Sequence, residues 1–199
     1  PTIMDSCLVK KMVPLRPVLA SALEGRQPGI AMHDAEGRSF AIVHGEGFYF
    51  VGGDATKAFI AEILTVSSSA QPGGSRVLVP TTEAWHELLR GMTQQLTPCA
   101  RISFDPPATQ RHVAFLDGIK NNAVIVPLDQ ELAGQNADLA AIYRISNAWN
   151  GIGDFCCAGA GYAVIQKNNP RVILSLAATF AIGSGEVEII VATRPEARR

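Results

Sequence analysis

The chain has 199 residues, of which 47% are hydrophobic and 18% are charged, and its formal net charge is −1 at neutral pH. This length is sufficient for one large or two small domains with a real hydrophobic core. The near-neutral charge disfavours nucleic acid or a membrane surface as the main partner, because both usually meet a clustered basic excess. No stretch reaches the roughly 18 apolar residues of a membrane span. We therefore expect a globular, cytoplasmic protein.

The first half of the chain predicts alternating strands and helices. Residues 39–43 and 47–51 are apolar runs of β-forming residues separated by a short turn, which predicts a hairpin. Asp54 follows the hairpin as a candidate N-cap of an apolar helical segment. This alternation is typical of an α/β layer.

Further along, residues 76–80 predict a buried strand, and residues 101–104 and 123–128 predict two more. Thr81 or Thr82 is placed to cap a helix in which the spacing points Trp85 towards the core.

The second half predicts a helix from about residue 138 to 149 and then three strands in close succession. The strands are expected at 159–166, 171–181 and 186–193, with turns at 167–170 and 183–185. Strands joined by turns this short pair antiparallel, so a meander is expected.

Four cysteines are present, at Cys7, Cys99, Cys156 and Cys157. No C-x-x-C pair or metal-ligand spacing occurs, so we expect reduced thiols, no disulfide framework and no metal site. Cys156 and Cys157 follow Phe155 and are expected to be buried apolar residues, since free cysteine is among the most buried residue types.

The most specific pattern lies in the last seventeen residues, 183–199. A glycine turn opens into an apolar strand with two acids, Glu186 and Glu188, and the strand runs into Thr193-Arg194-Pro195 and then Arg198. This resembles the cofactor strand of the GNAT superfamily of acyl-CoA-dependent N-acyltransferases. In that strand E-I-x-[IV]-x-T-x-P leads into the loop [QR]-x-x-G-x-[GA].

The resemblance implies an α/β (α+β) fold with an N-terminal α/β domain over residues 1–129 and a partial GNAT domain over residues 130–199. The order of elements is similar to the branch that contains zwittermicin-type self-resistance acetyltransferases. In function, the resemblance implies an N-acetyltransferase that moves an acetyl group from acetyl-CoA to a primary amine of a small molecule or peptide.

The resemblance also implies the site residues. Main-chain groups around Ile190, Val191 and Ala192 are expected to pair with the pantetheine arm of acetyl-CoA. Arg198 is expected to open the pyrophosphate loop, and Arg199 follows it. Glu188 matches the acid of the family's strand and is the expected general base.

The chemistry itself favours such residues. Acylation of an amine needs a main-chain N–H for the developing negative charge and a base that keeps the amine neutral. A bare carboxylate is costly to bury, so Glu188 is expected to face water or a polar cleft. An ordinary outward-facing strand glutamate remains the alternative for Glu188, and Glu186, nearer the turn, is expected to be a solvated edge residue.

The chain stops before the glycines of the expected loop. From this we expect an incomplete cofactor site, with acetyl-CoA binding that the natural continuation restores. Two classes of function stay open, an N-acetyltransferase and a non-catalytic binding or interaction protein derived from a GNAT fold. An unrelated α/β small-molecule-binding domain is a third alternative besides these two classes. Neither the acceptor nor the oligomeric state is indicated.

Overall fold

The computed structural model describes residues 15–70, 76–92, 96–98 and 123–197, with residues 66–70 described by their main chain alone. Six helices and eight strands lie within these ranges, followed by a 3-10 turn at Pro195–Ala197. In chain order they are α1 (Arg16–Leu23), β1 (Gly29–His33), β2 (Ser39–His44), β3 (Phe48–Gly53), α2 (Lys57–Ala70), β4 (Val77–Pro80), α3 (Glu83–Arg90), β5 (Ala123–Pro127), α4 (Gln130–Gln135), α5 (Ala140–Ala148), α6 (Ile152–Ala158), β6 (Gly161–Gln166), β7 (Asn169–Gly183) and β8 (Glu186–Thr193).

The strands form two four-stranded sheets, in the orders β1-β2-β3-β4 and β5-β6-β7-β8. The expected mixed α/β fold is confirmed. In the first sheet β2 and β3 pair antiparallel, with Ala41 opposite Val51, as the predicted hairpin requires. β4 pairs parallel to β3, so a connection through α2 returns the chain to the same end of the sheet.

The core of the first sheet lies against α2 and α3. β3 is buried from Phe48 through Gly52, because it is an inner strand of the sheet. Trp85 of α3 is fully buried and its Nε1–H donates to the Gly53 carbonyl at 3.1 Å, which confirms the predicted core role. The core cluster consists of Ala41, Tyr49, Val51, Phe59, Ile60, Ile63 and Trp85.

The two predicted helix caps had different outcomes. Thr82 caps α3 as expected, since its Oγ1 accepts the N–H of Trp85. Asp54 does not cap α2, and that prediction was wrong. Thr56 takes this role, because its Oγ1 accepts the N–H of Phe59 at 3.3 Å. The main chain of Asp54 bonds back to β2 instead, where the Ser39 hydroxyl donates to the Asp54 carbonyl at 2.9 Å.

The predicted meander is present in the second sheet. β6 and β7 pair antiparallel, with a register shift at Val164/Ile165, and their turn is shorter than expected because β7 already begins at Asn169. β7 passes into β8 through Ser184 and Gly185, whose φ angles of 55° and 74° are left-handed. Two-residue hairpin turns favour this conformation, which glycine adopts without strain.

Helix α5 confirms the predicted helix, whereas α4 and α6 were not predicted. Asn150 and Gly151 have φ angles of 58° and 120° and end the α5 segment, after which α6 begins. Of the α6 residues only Phe155 is buried. Cys156 and Cys157 are exposed, so the prediction that they fill the core was wrong. The short helix turns one side chain inward and leaves the next two in solvent.

The chain divides into two compact units, Pro1–Arg101 with Ile182–Glu186, and Ile102–Ala181 with Val187–Arg199. The tip of the β7–β8 hairpin therefore belongs to the first unit. β5 pairs with β6 in the second sheet. The domain boundary at residue 129 stays a prediction, and the strand predicted at residues 101–104 lies outside the described residues. Within the described ranges no helix is long and apolar enough to span a membrane.

Candidate functional site

β8 stands at the end of the second sheet and shows two unlike rows of side chains. Val187, Ile189 and Val191 are exposed by 53%, 62% and 68%. The alternate residues Glu188 and Ile190 are half-buried. The period-two alternation is the one expected of a strand, but its more exposed row is the apolar one.

Glu188 therefore lies on the less exposed row of β8. Its side chain is half-buried, and its carboxylate oxygen Oε2 is shielded from solvent. A carboxylate in this position is partly withdrawn from water without being sealed in a core. The structure thus presents Glu188 as a candidate acid–base group, and its assignment as general base stays a prediction.

The start of β8 is held by α1. The guanidinium of Arg16 donates to the Glu186 carboxylate at 2.6 Å, and the Ser184 N–H donates to the Glu24 carboxylate at 2.9 Å. The second bond is the largest of the causes that lower the pKa of Glu24. A Cβ at Gly183 would lie 2.5 Å from the Ser21 nitrogen, so only glycine permits this close approach. Glu186 is exposed, as expected, and it has an ion-pair partner.

The main chain of β8 also has two sides. The Ala192 carbonyl accepts the Ser175 hydroxyl at 3.0 Å, and the Arg194 N–H donates to the Leu174 carbonyl at 2.8 Å. Both groups therefore face β7. Because main-chain groups alternate along a strand, those of Val191 face the opposite edge, which no described strand pairs. Of the three residues expected to contact a cofactor arm, Val191 is thus the one with outward main-chain groups, while those of Ile190 and Ala192 point to β7.

The end of β8 is anchored by Arg194. Its guanidinium binds both carboxylate oxygens of Asp138, at 2.8 and 3.1 Å, and reaches the Asn136 amide oxygen at 3.2 Å. Its Nε–H donates to the Ile173 carbonyl at 2.8 Å. The bond from Arg194 lowers the pKa of Asp138, and the same bond raises the pKa of Arg194.

Asn136 completes this anchor. Its side chain is 1% exposed. Its Nδ2 donates to the Leu132 and Arg171 carbonyls, both at 2.9 Å, and its Oδ1 also accepts the Ile173 N–H at 3.0 Å. The bulge that shifts the β6–β7 register lies beside Ile173, and Asn136 supplies the partner for that N–H.

Sequence reasoning did not identify Asn136, Asp138 or Arg194. The available signal was weak: an Asn and an Asp two residues apart before a helix, and an arginine at the variable position of Thr-x-Pro. Arg198 and Arg199, expected at the pyrophosphate loop, lie outside the described residues. Among the described side chains, no group of three or more His, Cys, Asp or Glu residues is placed to hold a metal ion.

A second titratable group, His44, is fully buried in the first sheet. Its Nδ1 accepts the Glu46 N–H at 3.2 Å, so Nε2 carries the proton and faces the Gln27 amide oxygen at 3.3 Å. Burial lowers the pKa of His44 to about 4, and the ring is neutral at pH 7. Both ring nitrogens are engaged within the fold, which indicates a structural role beneath the shallow depression that His44 lines with Ile30 and Tyr49.

Two comparisons with known proteins find a match over nearly all of the chain. The family model described as GNAT acetyltransferase matches residues 9–199. A solved structure described as a GCN5-related N-acetyltransferase-like protein from Streptococcus suis 89/1591 is similar in fold, with a TM-score of 0.69 and 19% sequence identity. That likeness covers 98% of this chain and 76% of the other. No curated protein sequence matches.

Proposed function

The chain belongs to the GNAT acetyltransferase family, and on this premise we propose that it transfers an acetyl group from acetyl-CoA to a primary amine of a small molecule or peptide. The observation that carries this proposal is the position of Glu188. It is half-buried on β8, the strand at the end of the second sheet, within three residues of the outward main chain of Val191. A proton acceptor and a main-chain edge are the two features that amine acylation requires.

The described residues fit the pantetheine arm of the donor. That arm carries amide groups, which can pair with the main-chain N–H and C=O of Val191 at the edge of the sheet. Ile190 and Ala192 flank Val191 and are proposed to complete this contact surface. Arg198 and Arg199 are proposed for the pyrophosphate. Acetyl-CoA supplies the activated acetyl group when bound. The protein binds this cofactor and accepts the proton that the amine loses.

We assign the proton acceptor to Glu188. An amine is acetylated only in its neutral form, and at pH 7 most primary amines carry a proton that a nearby carboxylate must accept. The exposed Val187 and Ile189 on either side of Glu188 have no ionisable group. The alternative, a glutamate without a chemical role, predicts no change in turnover when Glu188 is replaced.

We further propose that the chain belongs to the branch that contains the zwittermicin-type self-resistance acetyltransferases. In that branch an N-terminal α/β domain, here residues 1–129, precedes a GNAT domain, here residues 130–199. Support comes from the family match, which begins at residue 9 and so includes the N-terminal half. The partner proposed is the amine acceptor, in the cytoplasm, rather than nucleic acid or a membrane. The net charge of −1 offers no strong attraction to either.

The test uses the full-length protein, incubated with acetyl-CoA and a panel of amines: aminoglycosides, polyamines and peptides. Acetyl transfer is followed by loss of thioester absorbance and by product mass. A thiol reagent is unsuitable, because the exposed Cys156 and Cys157 would react with it. Glu188→Gln keeps the shape of the side chain but cannot accept the proton. It should lower kcat at neutral pH by at least about tenfold. The affinity for acetyl-CoA should be unchanged, and higher pH should restore part of the rate.

Glu186→Gln is the matched control on the same strand. It removes a carboxylate that is exposed and paired with Arg16, so turnover should change by less than about twofold. Loss of turnover in Glu186→Gln alone would identify Glu186, rather than Glu188, as the general base. Unchanged turnover in both variants would reject a carboxylate base on β8. Acetyl-CoA binding without transfer to any amine would favour a non-catalytic binding protein instead.

A further inference from the structure

We propose that the outer edge of β1 is a self-association surface, at which two copies of this chain pair their β1 strands antiparallel about Ala31. β1 is the first strand in the order of the first sheet, and no strand in the described part of the chain pairs with its outer side. The proposal concerns the first sheet alone and does not depend on acetyl transfer.

The main chain of β1 directs alternate residues towards β2. Just before the strand, the Gly45 N–H donates to the Pro28 carbonyl at 2.9 Å, and just after it the Asp34 N–H donates to the Ser39 carbonyl at 3.1 Å. Hydrogen-bonded and non-bonded pairs alternate along an antiparallel ladder, so the even-numbered residues of β1 face β2. The N–H and C=O groups that face outward are those of the odd-numbered residues, Gly29, Ala31 and His33.

These outward groups are arranged symmetrically about Ala31. When two β1 strands pair antiparallel with Ala31 opposite Ala31 of the copy, Gly29 of each strand meets His33 of the other. Each outward residue then meets an outward residue, and all of the outward N–H and C=O groups are bonded. A shift by one residue would place outward groups opposite inward ones, and a shift by two would leave some of them unbonded. The strand is therefore complementary to itself in one register.

The side chains on the core face of the sheet continue across this junction. Tyr49, Val43 and Ile30 lie side by side on β3, β2 and β1, and their exposure rises from 6% at Tyr49 to 58% at Ile30. Met32, the next residue on this face of β1, packs against the core cluster. In the paired strands Met32 of each copy lies directly opposite Ile30 of the other. The exposed end of the row is thereby covered by an apolar side chain, and such cross-strand pairs stabilise a sheet.

β1 also lacks the features that protect other sheet edges. Proteins prevent unwanted edge pairing with charged residues, with proline or with very short strands. β4 has four residues and ends at Pro80, β5 ends at Pro127, and β8 carries Glu186 and Glu188. β1 has no Lys, Arg, Asp, Glu or Pro, and its register with β2 is continuous. Its edge is therefore open to pairing.

The charges that flank β1 favour an antiparallel copy. Arg26 precedes the strand and Glu36 follows it, and both side chains are exposed. Antiparallel pairing brings the Arg26 end of one strand to the Glu36 end of the other, whereas parallel pairing would bring like ends together. Each group already has an ion-pair partner in its own chain, Glu24 for Arg26 and Arg38 for Glu36. The attraction across the junction therefore selects the orientation more than it adds affinity.

Sedimentation velocity of the full-length protein without ligand, from about 1 µM to about 1 mM, measures the association. We expect a monomer at low concentration and a dimer at high concentration. A junction of two five-residue strands belongs with the interfaces below about 1,200 Å², which are typically transient. Ile30→Lys places a charge in the junction and should raise the dimer Kd by at least about tenfold. Ile189→Lys is the matched control, since Ile189 is 62% exposed on β8, and its Kd should stay within about twofold.

Amide hydrogen exchange, followed residue by residue by NMR, tests the register. The N–H groups of Ile30 and Met32 face β2 and should exchange slowly at every concentration. Those of Gly29, Ala31 and His33 should slow by at least about fivefold between the two ends of the concentration series. Ala31→Pro removes the central outward N–H at an edge position that tolerates proline, and it should abolish the dimer. If Ala31→Pro does not fold, Ile30→Lys and the exchange pattern decide.

A protein that stays monomeric throughout the series would overturn the proposal. A dimer that Ile189→Lys weakens as much as Ile30→Lys, or one in which the outward amides stay unprotected, would overturn it as well. Protection of Gly29, Ala31 and His33 at the lowest concentration would show that another segment of the same chain covers β1, which also contradicts the proposal. None of these results affects the proposed acetyl transfer, which the amine panel tests separately.

Discussion

β3 and β8 are both strands dominated by apolar residues, yet they have opposite surroundings. β3 lies between β2 and β4 and is buried from Phe48 through Gly52. β8 lies at the end of its sheet and leaves Val187, Ile189 and Val191 exposed. The difference shows that position in the sheet, rather than hydrophobicity, decides which strand supports the core and which can offer its main chain to a ligand.

The two strands are also held by different forces. β3 is fixed by packing, with Trp85 and Phe59 against it in one buried cluster. β8 is held at its ends by charged groups, Arg16 with Glu186 at the start and Arg194 with Asp138 after the last residue. Buried packing contributes more to stability than exposed ion pairs do. Substitutions in β3 and its neighbours should therefore lower the free energy of unfolding more than substitutions at the ends of β8.

The largest effect is expected at Trp85. Trp85→Ala should lower the free energy of unfolding by about 3–5 kcal/mol, since it leaves a cavity and the Gly53 carbonyl loses its donor. Urea unfolding followed by circular dichroism measures this. Ile189→Ala on β8 is the control and should cost at most about 1 kcal/mol, because the side chain is 62% exposed. Equal losses would contradict the contrast between the two strands.

The second effect concerns pH and the first sheet. Folding lowers the pKa of His44 from 6.5 to about 4, so the unfolded chain binds the proton first. Above pH 6.5 the ring is neutral in both states and the free energy of unfolding is at its full value. As the pH falls towards 4 the unfolded state takes up the proton, and the free energy of unfolding decreases. The loss should reach about 3 kcal/mol, and unfolding free energies measured across this window test it. His44→Gln removes the titration, so its curve should be flatter by that amount. Parallel curves would exclude His44 as the cause.

The third effect tests the anchor at the end of β8, which Asn136 completes. Asn136→Ala should lower the free energy of unfolding by about 2–3 kcal/mol, because the buried Ile173 N–H and two carbonyls lose their partner. Thermal unfolding monitored by calorimetry gives the value. Gln135→Ala, which changes the exposed last residue of α4 directly before Asn136, is the matched control and should cost under about 0.5 kcal/mol. Similar losses in both would mean that helix propensity, rather than the anchor, is being measured.

The smallest effect is expected at the start of β8. Arg16→Gln removes an ion pair whose side chains are 26% and 47% exposed, and it should cost at most about 1 kcal/mol. High salt should reduce the difference from the unsubstituted protein, since screening weakens the pair. A loss above 2 kcal/mol that salt does not change would show that Arg16 acts through packing.

Much of the fold was predictable because it depends on local pattern. The hairpin of β2 and β3 follows from two apolar runs around a short turn, and the β7–β8 turn follows from Ser184-Gly185. Thr81 or Thr82 was predicted as the cap from their position before an amphipathic helix, and the structure selects Thr82. Helix α6 was missed because it has seven residues and one buried side chain, which is too short for a periodic signal.

The candidate site was predictable only in part. Glu188 and Val191 could be singled out because the pattern that places them lies within one strand. The anchor could not, since Arg194 meets Asp138 and Asn136 across 56 and 58 residues of sequence. A side chain that bonds at such a distance leaves no periodic trace, and any exposed arginine would look the same.

By itself, the sequence determined every described strand except β1, the main turns and the resemblance to GNAT acetyltransferases, because these depend on residues that are neighbours in the chain. Only the tertiary structure decided that Cys156 and Cys157 face solvent, that His44 is buried and neutral, and that β8 stands at the end of its sheet. It also decided which groups hold Arg194. Burial, pKa and strand order depend on what packs against a residue from elsewhere in the chain, and no local pattern records that.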